Sequence, residues 1–162
     1  MNRVSIQAET VPLPAWKGAA ESYMLKILEY IRRDGWDLSV IFCGNAWIQE
    51  LNARFRDKDE PTDVLSFFMG ETADDGEGGS RYLPGDIVIS LESLAENARY
   101  FKVSEDEELR RLLIHGILHL DGFDHTKNTD ENGQDEPMLE LQERILAELS
   151  AYHIFPQTQE RL

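Results

Sequence analysis

Three of the four histidines in this 162-residue chain fall within eleven residues, in the stretch His115-Gly-Ile-Leu-His119-Leu-Asp-Gly122-Phe-Asp-His125. Residues four apart share one face of an α-helix, so His115 and His119 can aim their imidazoles at one point from a rigid support. Gly122 follows three residues after the second histidine. A glycine there can take positive φ, end the helix and turn the chain back. That reversal brings His125 in as a third nitrogen donor. Three neutral imidazoles with an open fourth position make a catalytic rather than a structural zinc site. A closed site needs a fourth protein ligand, usually cysteine, and the one cysteine is distant at Cys43.

The spacing H-x3-H-x2-G-x2-H is that of the extended zinc-protease motif, with one departure. The residue after the first histidine is Glu in those proteases, where it serves as general base. Here it is Gly116. Glycine cannot take a proton, so the motif predicts a metal and argues against ordinary peptide hydrolysis.

The rest of the chain reads as one globular domain over residues 1–162. Its 41% hydrophobic and 29% charged content fit a soluble protein with a full core. No apolar run approaches the ~20 residues that span a bilayer, and the N-terminus carries no long apolar signal region. A lone cysteine suits a reducing cytoplasm, with Cys43 read as a small buried thiol at a strand end. The net charge is −15, and it is unevenly placed. Residues 1–60 carry 8 Lys/Arg against 9 Asp/Glu, whereas residues 61–162 carry 8 against 22. Such acidity repels nucleic acid at long range. Salt screens charges beyond ~10 Å, so a local basic patch can still hold phosphate. Arg54, Arg56 and Lys58 form one such patch; Arg99, Lys102, Arg110 and Arg111 form a looser one.

Apolar periodicity predicts the elements. Residues 2–8 alternate as a strand. Trp16 to Ile31 follow helical spacing and stop at Asp34-Gly35. Leu38, Val40 and Phe42 mark a second strand. Asn45 is expected to cap a second helix, which delivers Asn52 and Arg56 at its end. Thr62 to Phe68 reads as a strand, 69–84 as an exposed loop or hairpin connection without regular structure, and Asp86–Ser90 as a buried strand. Leu91 to Tyr100 make a short helix. Ser104-Glu-Asp-Glu107 is a capping box that opens the metal helix. Residues 126–136 read as a polar loop, and Pro137 suits the first turn of a last helix with Met138, Leu141, Ile145, Leu146 and Leu149 inward. The tail, 154–162, is expected to fray. The sum is an α+β domain, with a small mixed sheet of about four strands packed with about five helices, and a metalloprotease-like metal helix.

A metal hydrolase also needs something to stabilise developing negative charge. Arg56 is the candidate catalytic residue, because a guanidinium is always charged and matches phosphate in fork geometry. Arg54 and Lys58 are candidate substrate contacts. For all three the alternative is a solvated surface cation. Asp121 and Asp124 flank the third ligand. Asp124 is placed behind an imidazole, orienting it, with metal ligation or a role as base as its alternatives. Asp121 is read as a turn aspartate. Asp86 is either near the cleft or structural, His153 is incidental, and Met138 is core.

Three blocks carry a resemblance: Leu51-Asn-Ala-Arg-Phe-Arg56 running into Pro61-Thr-Asp-Val-Leu-Ser-Phe67, then Gly85-Asp-Ile-Val-Ile-Ser90, then the histidine stretch. Together they resemble the YbeY family of bacterial rRNA maturation factors, single-metal endoribonucleases. The resemblance implies one zinc ion per chain, held by His115, His119 and His125, and a functional arginine matching Arg56. It implies single-stranded RNA as substrate, notably the 3′ end of small-subunit rRNA, with a role in ribosome quality control. The ribosomal small subunit, or a basic ribosomal protein docked on the acidic surface, is then the expected partner, with no membrane involved. The alternatives are another metal hydrolase, acting on peptides or amides, and a non-catalytic ribosome-assembly factor whose metal only stabilises the fold.

Overall fold

Alternating apolar residues make the strands, and their two faces receive different helices. The computed structural model describes residues 1–122 and 136–156. In chain order the elements are β1 (Arg3–Ala8), α1 (Lys17–Tyr30), β2 (Asp37–Cys43), α2 (Asn45–Arg56), β3 (Val64–Asp74), β4 (Ser80–Ser90), α3 (Leu91–Phe101), α4 (Glu105–Leu120) and α5 (Glu136–Glu148). The strands order as β1-β2-β4-β3. β1 and β4 each run parallel to β2, and β3 runs antiparallel to β4, so the sheet is mixed as expected and β3 is an edge strand.

One face of the sheet presents Ile6, Val40, Phe42, Ile87 and Ile89, and the main core forms there. It takes in Tyr23, Met24 and Ile27 of α1, Leu109, Leu113 and Ile117 of α4, and Met138 and Ile145 of α5. The other face presents Cys43, Leu65 and Val88 to Ile48 of α2, with Trp47, Leu51 and Phe67 packed around them. α4 is the central helix and is buried along most of its circumference. Ser104 Oγ accepts from the Glu107 amide at 3.0 Å, as the capping box requires, and four acidic residues occupy the first turn, where the helix dipole favours them.

Four expectations need correction. Residues 69–84 are not irregular, because β3 and β4 continue as a hairpin to the pair Asp74↔Ser80 after a bulge between Phe68 and Glu71. Asp75 Oδ1 accepts from the amides of Glu77 and Gly79 and closes the turn. The stretch looks like loop in sequence because its outer half is largely solvated and needs little apolar side chain. Secondly, α2 is capped at Gly44, not Asn45; the Asn45 side chain accepts instead from Ser90 and Ser93, tying α2 to α3. Thirdly, the tail does not fray at 154–156. Ile154 is buried, and its amide and that of Phe155 donate to Asp106 Oδ1 at 2.7 and 2.8 Å. Residues 157–162 lie outside the described residues. Lastly, His153 is not incidental: its Nδ1 sits 3.0 Å from Asp106 Oδ2.

Candidate active site

The histidines stand on the last two turns of α4. Gly116 faces the sheet, where a Cβ would come within 2.9–3.1 Å of the Ile87 side chain. The missing side chain thus lets α4 settle onto β4, and it turns His115 and His119 to the flank. There the two Nε2 atoms lie 3.0 Å apart, with ring centroids at 4.5 Å and planes inclined by 69°. Two ligands of one tetrahedral zinc at ~2.0–2.1 Å stand about 3.3 Å apart, a separation close to that of this pair.

The tautomer of His115 is fixed from behind. Gln142 of α5, 5% exposed, gives its Nε2 to Glu143 Oε2 at 3.1 Å, which turns Oε1 toward His115 Nδ1 at 2.7 Å. Nδ1 therefore carries the proton, and Nε2 keeps its lone pair for the site. The chain of bonds continues. Arg111 donates to both oxygens of Glu143 at 3.0 and 3.3 Å, and to Glu107 and Glu108 on its own helix. Burial opposes the charge on each partner. The mutual bonds override it, holding Arg111 above its ordinary range and Glu143 below the usual carboxylate range.

After His119 the helix ends at Asp121, and Gly122 takes φ +101°, the turn anticipated from the sequence. Asp121 is a turn residue as read. Its carboxylate takes two bonds from Arg33, at 2.6 and 3.0 Å. His125 and Asp124 lie outside the described residues. Among the described residues no group of three or more His, Cys, Asp and Glu converges.

Arg56 closes α2 and reaches the outer edge of β3, donating to the Ser66 carbonyl at 2.8 Å, with its guanidinium 5.8 Å from the Phe67 ring centre. Ser66 pairs with Ile87, the residue beneath Gly116, so Arg56 is tethered one strand away from the helix that carries the histidines. The connection that carries the chain from α2 to β3 is pinned by Asn52. This side chain is buried and donates to the Glu60 carbonyl at 2.9 Å. Arg54 is exposed and ion-paired with Glu50 at 3.2 Å; Lys58 is exposed beyond the left-handed cap at Asp57. Of the looser basic patch only Arg99 and Lys102 are exposed. Arg110 is buried against Asp106, and Arg111 belongs to the network behind His115. Asp86 pairs with Ser39 and Phe67 inside the sheet. Burial pushes the Cys43 thiol up to about 12, which leaves it inert.

Gln142 and Glu143 were not identified from the sequence. One signal was available: Gln142 is an amide on the apolar stripe between Met138 and Ile145, where a polar group needs a partner.

Comparison with known proteins fits this arrangement. The family described as endoribonuclease YbeY matches residues 3–150. The chain is 45% identical over 135 residues to endoribonuclease YbeY of Treponema denticola, covering 83% of this chain and 84% of that one. It is 46% identical over 149 residues to the Treponema pallidum protein of the same name, covering 91% and 90%. A solution structure of a Thermotoga maritima protein superposes with a TM-score of 0.61 at 30% identity, covering 93% of this chain and 90% of that one. The two matched spirochaete sequences, the family match and the shared α+β fold agree: this chain belongs to the endoribonuclease YbeY family.

Proposed function

We propose that the protein is a zinc-dependent endoribonuclease that cuts single-stranded RNA and acts in maturing the 3′ end of small-subunit rRNA. The observation that carries this reading is the pair of Nε2 atoms, 3.0 Å apart and backed by Gln142, in a chain of this family. His115, His119 and His125 would hold one zinc ion, with Asp124 behind the third imidazole. A zinc ion held this way supplies an activated water and polarises a phosphoryl oxygen.

The remaining work falls to this chain's own groups. Gln142 keeps the His115 proton on Nδ1, so the donor atom is always presented. Arg56 is held by one bond to a carbonyl, leaving other guanidinium N–H groups to grip a phosphate in fork geometry. Asn52 fixes the connection from which Arg56 reaches. Arg54 and Lys58 would steady neighbouring phosphates. The attacking oxygen is either water, which can leave a 5′-phosphate, or the RNA 2′-OH, which leaves a 2′,3′-cyclic phosphate and a 5′-hydroxyl. The strongly acidic remainder suits docking to a basic ribosomal protein of the small subunit in the cytoplasm.

The test is cleavage of single-stranded RNA by purified protein of measured metal content. Chelation should stop it. His115→Ala should abolish both bound zinc and cleavage, while Arg56→Ala should keep the zinc and lower kcat/KM about 100-fold or more. End-group analysis identifies the nucleophile. Cleavage that persists unchanged in His115→Ala sinks the proposal.

A further inference from the structure

Beside the end of α4 lies a cavity of about 340 Å³ that no step above uses, lined by Arg33, Trp36, Phe68, Tyr82, Asp121 and Gly122. Asp121 and Gly122 belong to the turn that follows His119, so the cavity borders the residues directly after the second imidazole. Three of its seven lining residues, which include Leu120, are aromatic. Trp36 and Tyr82 meet with centroids 5.3 Å apart and planes inclined by 48°. Phe68 is 65% exposed, a large ring left in water on an edge strand.

That ring is held in place by the backbone. The bulge of β3 lies between Phe68 and Glu71, and Gly70 within it has φ +66°. A Cβ on Gly70 would collide with the Phe68 ring. The glycine thus both permits the bulge and lets the ring fold across it. Bulges beside active sites commonly re-aim a side chain in this way. Opposite stands Arg33, whose guanidinium is fixed by Asp121 and by the Ile31 carbonyl at 3.2 Å. Its charge is balanced by Asp121, which leaves it less suited to gripping a free phosphate.

We propose that this cavity is a nucleobase subsite, which takes the base next to the scissile phosphate and stacks it on Phe68 against the Trp36–Tyr82 wall. The proposal rests on the endoribonuclease reading and adds a physical source for single-strand preference. A base must leave its helix to enter, whereas an unpaired base enters without that cost. Stacking of this kind tolerates any base, because each has a π-face.

The experiment uses the metal-loaded full chain and short single-stranded RNAs carrying 2-aminopurine at one position at a time around the cleavage point. Binding should quench the fluorophore at the position flanking the cut and leave distant positions bright. Phe68→Ala should lose that quench and raise KM about tenfold, the size of one base–aromatic stack, with kcat little changed. Phe68→Tyr should restore both, and Phe68→Leu should restore neither. An abasic nucleotide at the same position should weaken binding to the wild type about as much as Phe68→Ala does. Cleavage by wild type with an unchanged KM and no quench difference in Phe68→Ala overturns the subsite alone. Absence of any metal-dependent cleavage by wild type overturns the endoribonuclease reading on which it stands.

Discussion

At the residue scale the proposed metal chemistry turns on which nitrogen of His115 carries a proton. Gln142 decides this by presenting an oxygen, and Glu143 decides which end of Gln142 is the oxygen. Replacing Gln142 with Leu should leave the fold intact and weaken zinc binding about 10- to 100-fold, measured by competition with a chromogenic chelator. Gln142→Glu keeps an acceptor behind His115 but sets a second carboxylate against Glu143, so it should recover the affinity only when Glu143→Gln is made as well. Unchanged zinc affinity in Gln142→Leu would show that the tautomer is set elsewhere. The histidine pair itself was legible from sequence, because i,i+4 spacing on a helix is a purely local property. The amide behind it was not, since its contact with His115 exists only once α5 docks on α4. A polar residue on an otherwise apolar stripe is the trace that such a contact leaves.

At the scale of elements, α4 is held at both ends and pressed down in the middle. Its first turn contributes Asp106, which accepts from Arg110, from the Ile154 and Phe155 amides, and lies against His153. Burial alone would raise this carboxyl, but the backbone amide of Phe155, His153, the Ile154 amide and Arg110 together hold it below the usual range. A depressed carboxylate contributes stability that is fully present above its unfolded pKa, about 4, and is lost as pH falls through the folded value. Asp106→Asn should therefore be less stable than wild type by a constant margin above about pH 5. The gap should narrow below pH 4, read from urea midpoints. Asp106→Ala, which strands Arg110, should cost about 3 kcal/mol at neutral pH. In the middle of the helix, Gly116 has no room for a side chain. Gly116→Glu would force a carboxylate against Ile87 without a partner. It should destabilise by more than about 3 kcal/mol and yield no peptidase activity in a fluorogenic peptide assay. The tail and the basic cluster were misread for one reason. Arg111, His153 and Ile154 find partners across long sequence separations, Arg110 is buried against Asp106 one turn away, and composition reports charge without reporting what it pairs with. The strand pairing along 69–84 was missed because a mostly solvated ribbon needs no alternation of apolar residues.

At the scale of the whole molecule, a chain of net charge −15 meets a polyanion through very few cations. If Arg54, Arg56 and Lys58 make the phosphate contacts, the slope of log affinity against log salt for single-stranded RNA should be no steeper than about −2. Long-range repulsion, which salt screens, should flatten it further. Fluorescence anisotropy of a labelled oligonucleotide across a salt series measures this directly. A slope of −4 or steeper would mean that a larger basic footprint contacts the RNA. Among the described residues no helix is long and apolar enough to cross a membrane.

The bonds that run from His115 through Gln142 and Glu143 to Arg111 cross from one helix to another, so they bind two equilibria into one. Whatever favours the Nδ1-protonated ring also favours α5 lying against α4, and the reverse holds by the same thermodynamic cycle. On the proposed zinc reading, loading the ion should then tighten the helix whose Gln142 stands behind His115, and loosening that helix should release the ion. The fold would thereby carry its own record of whether the site is filled.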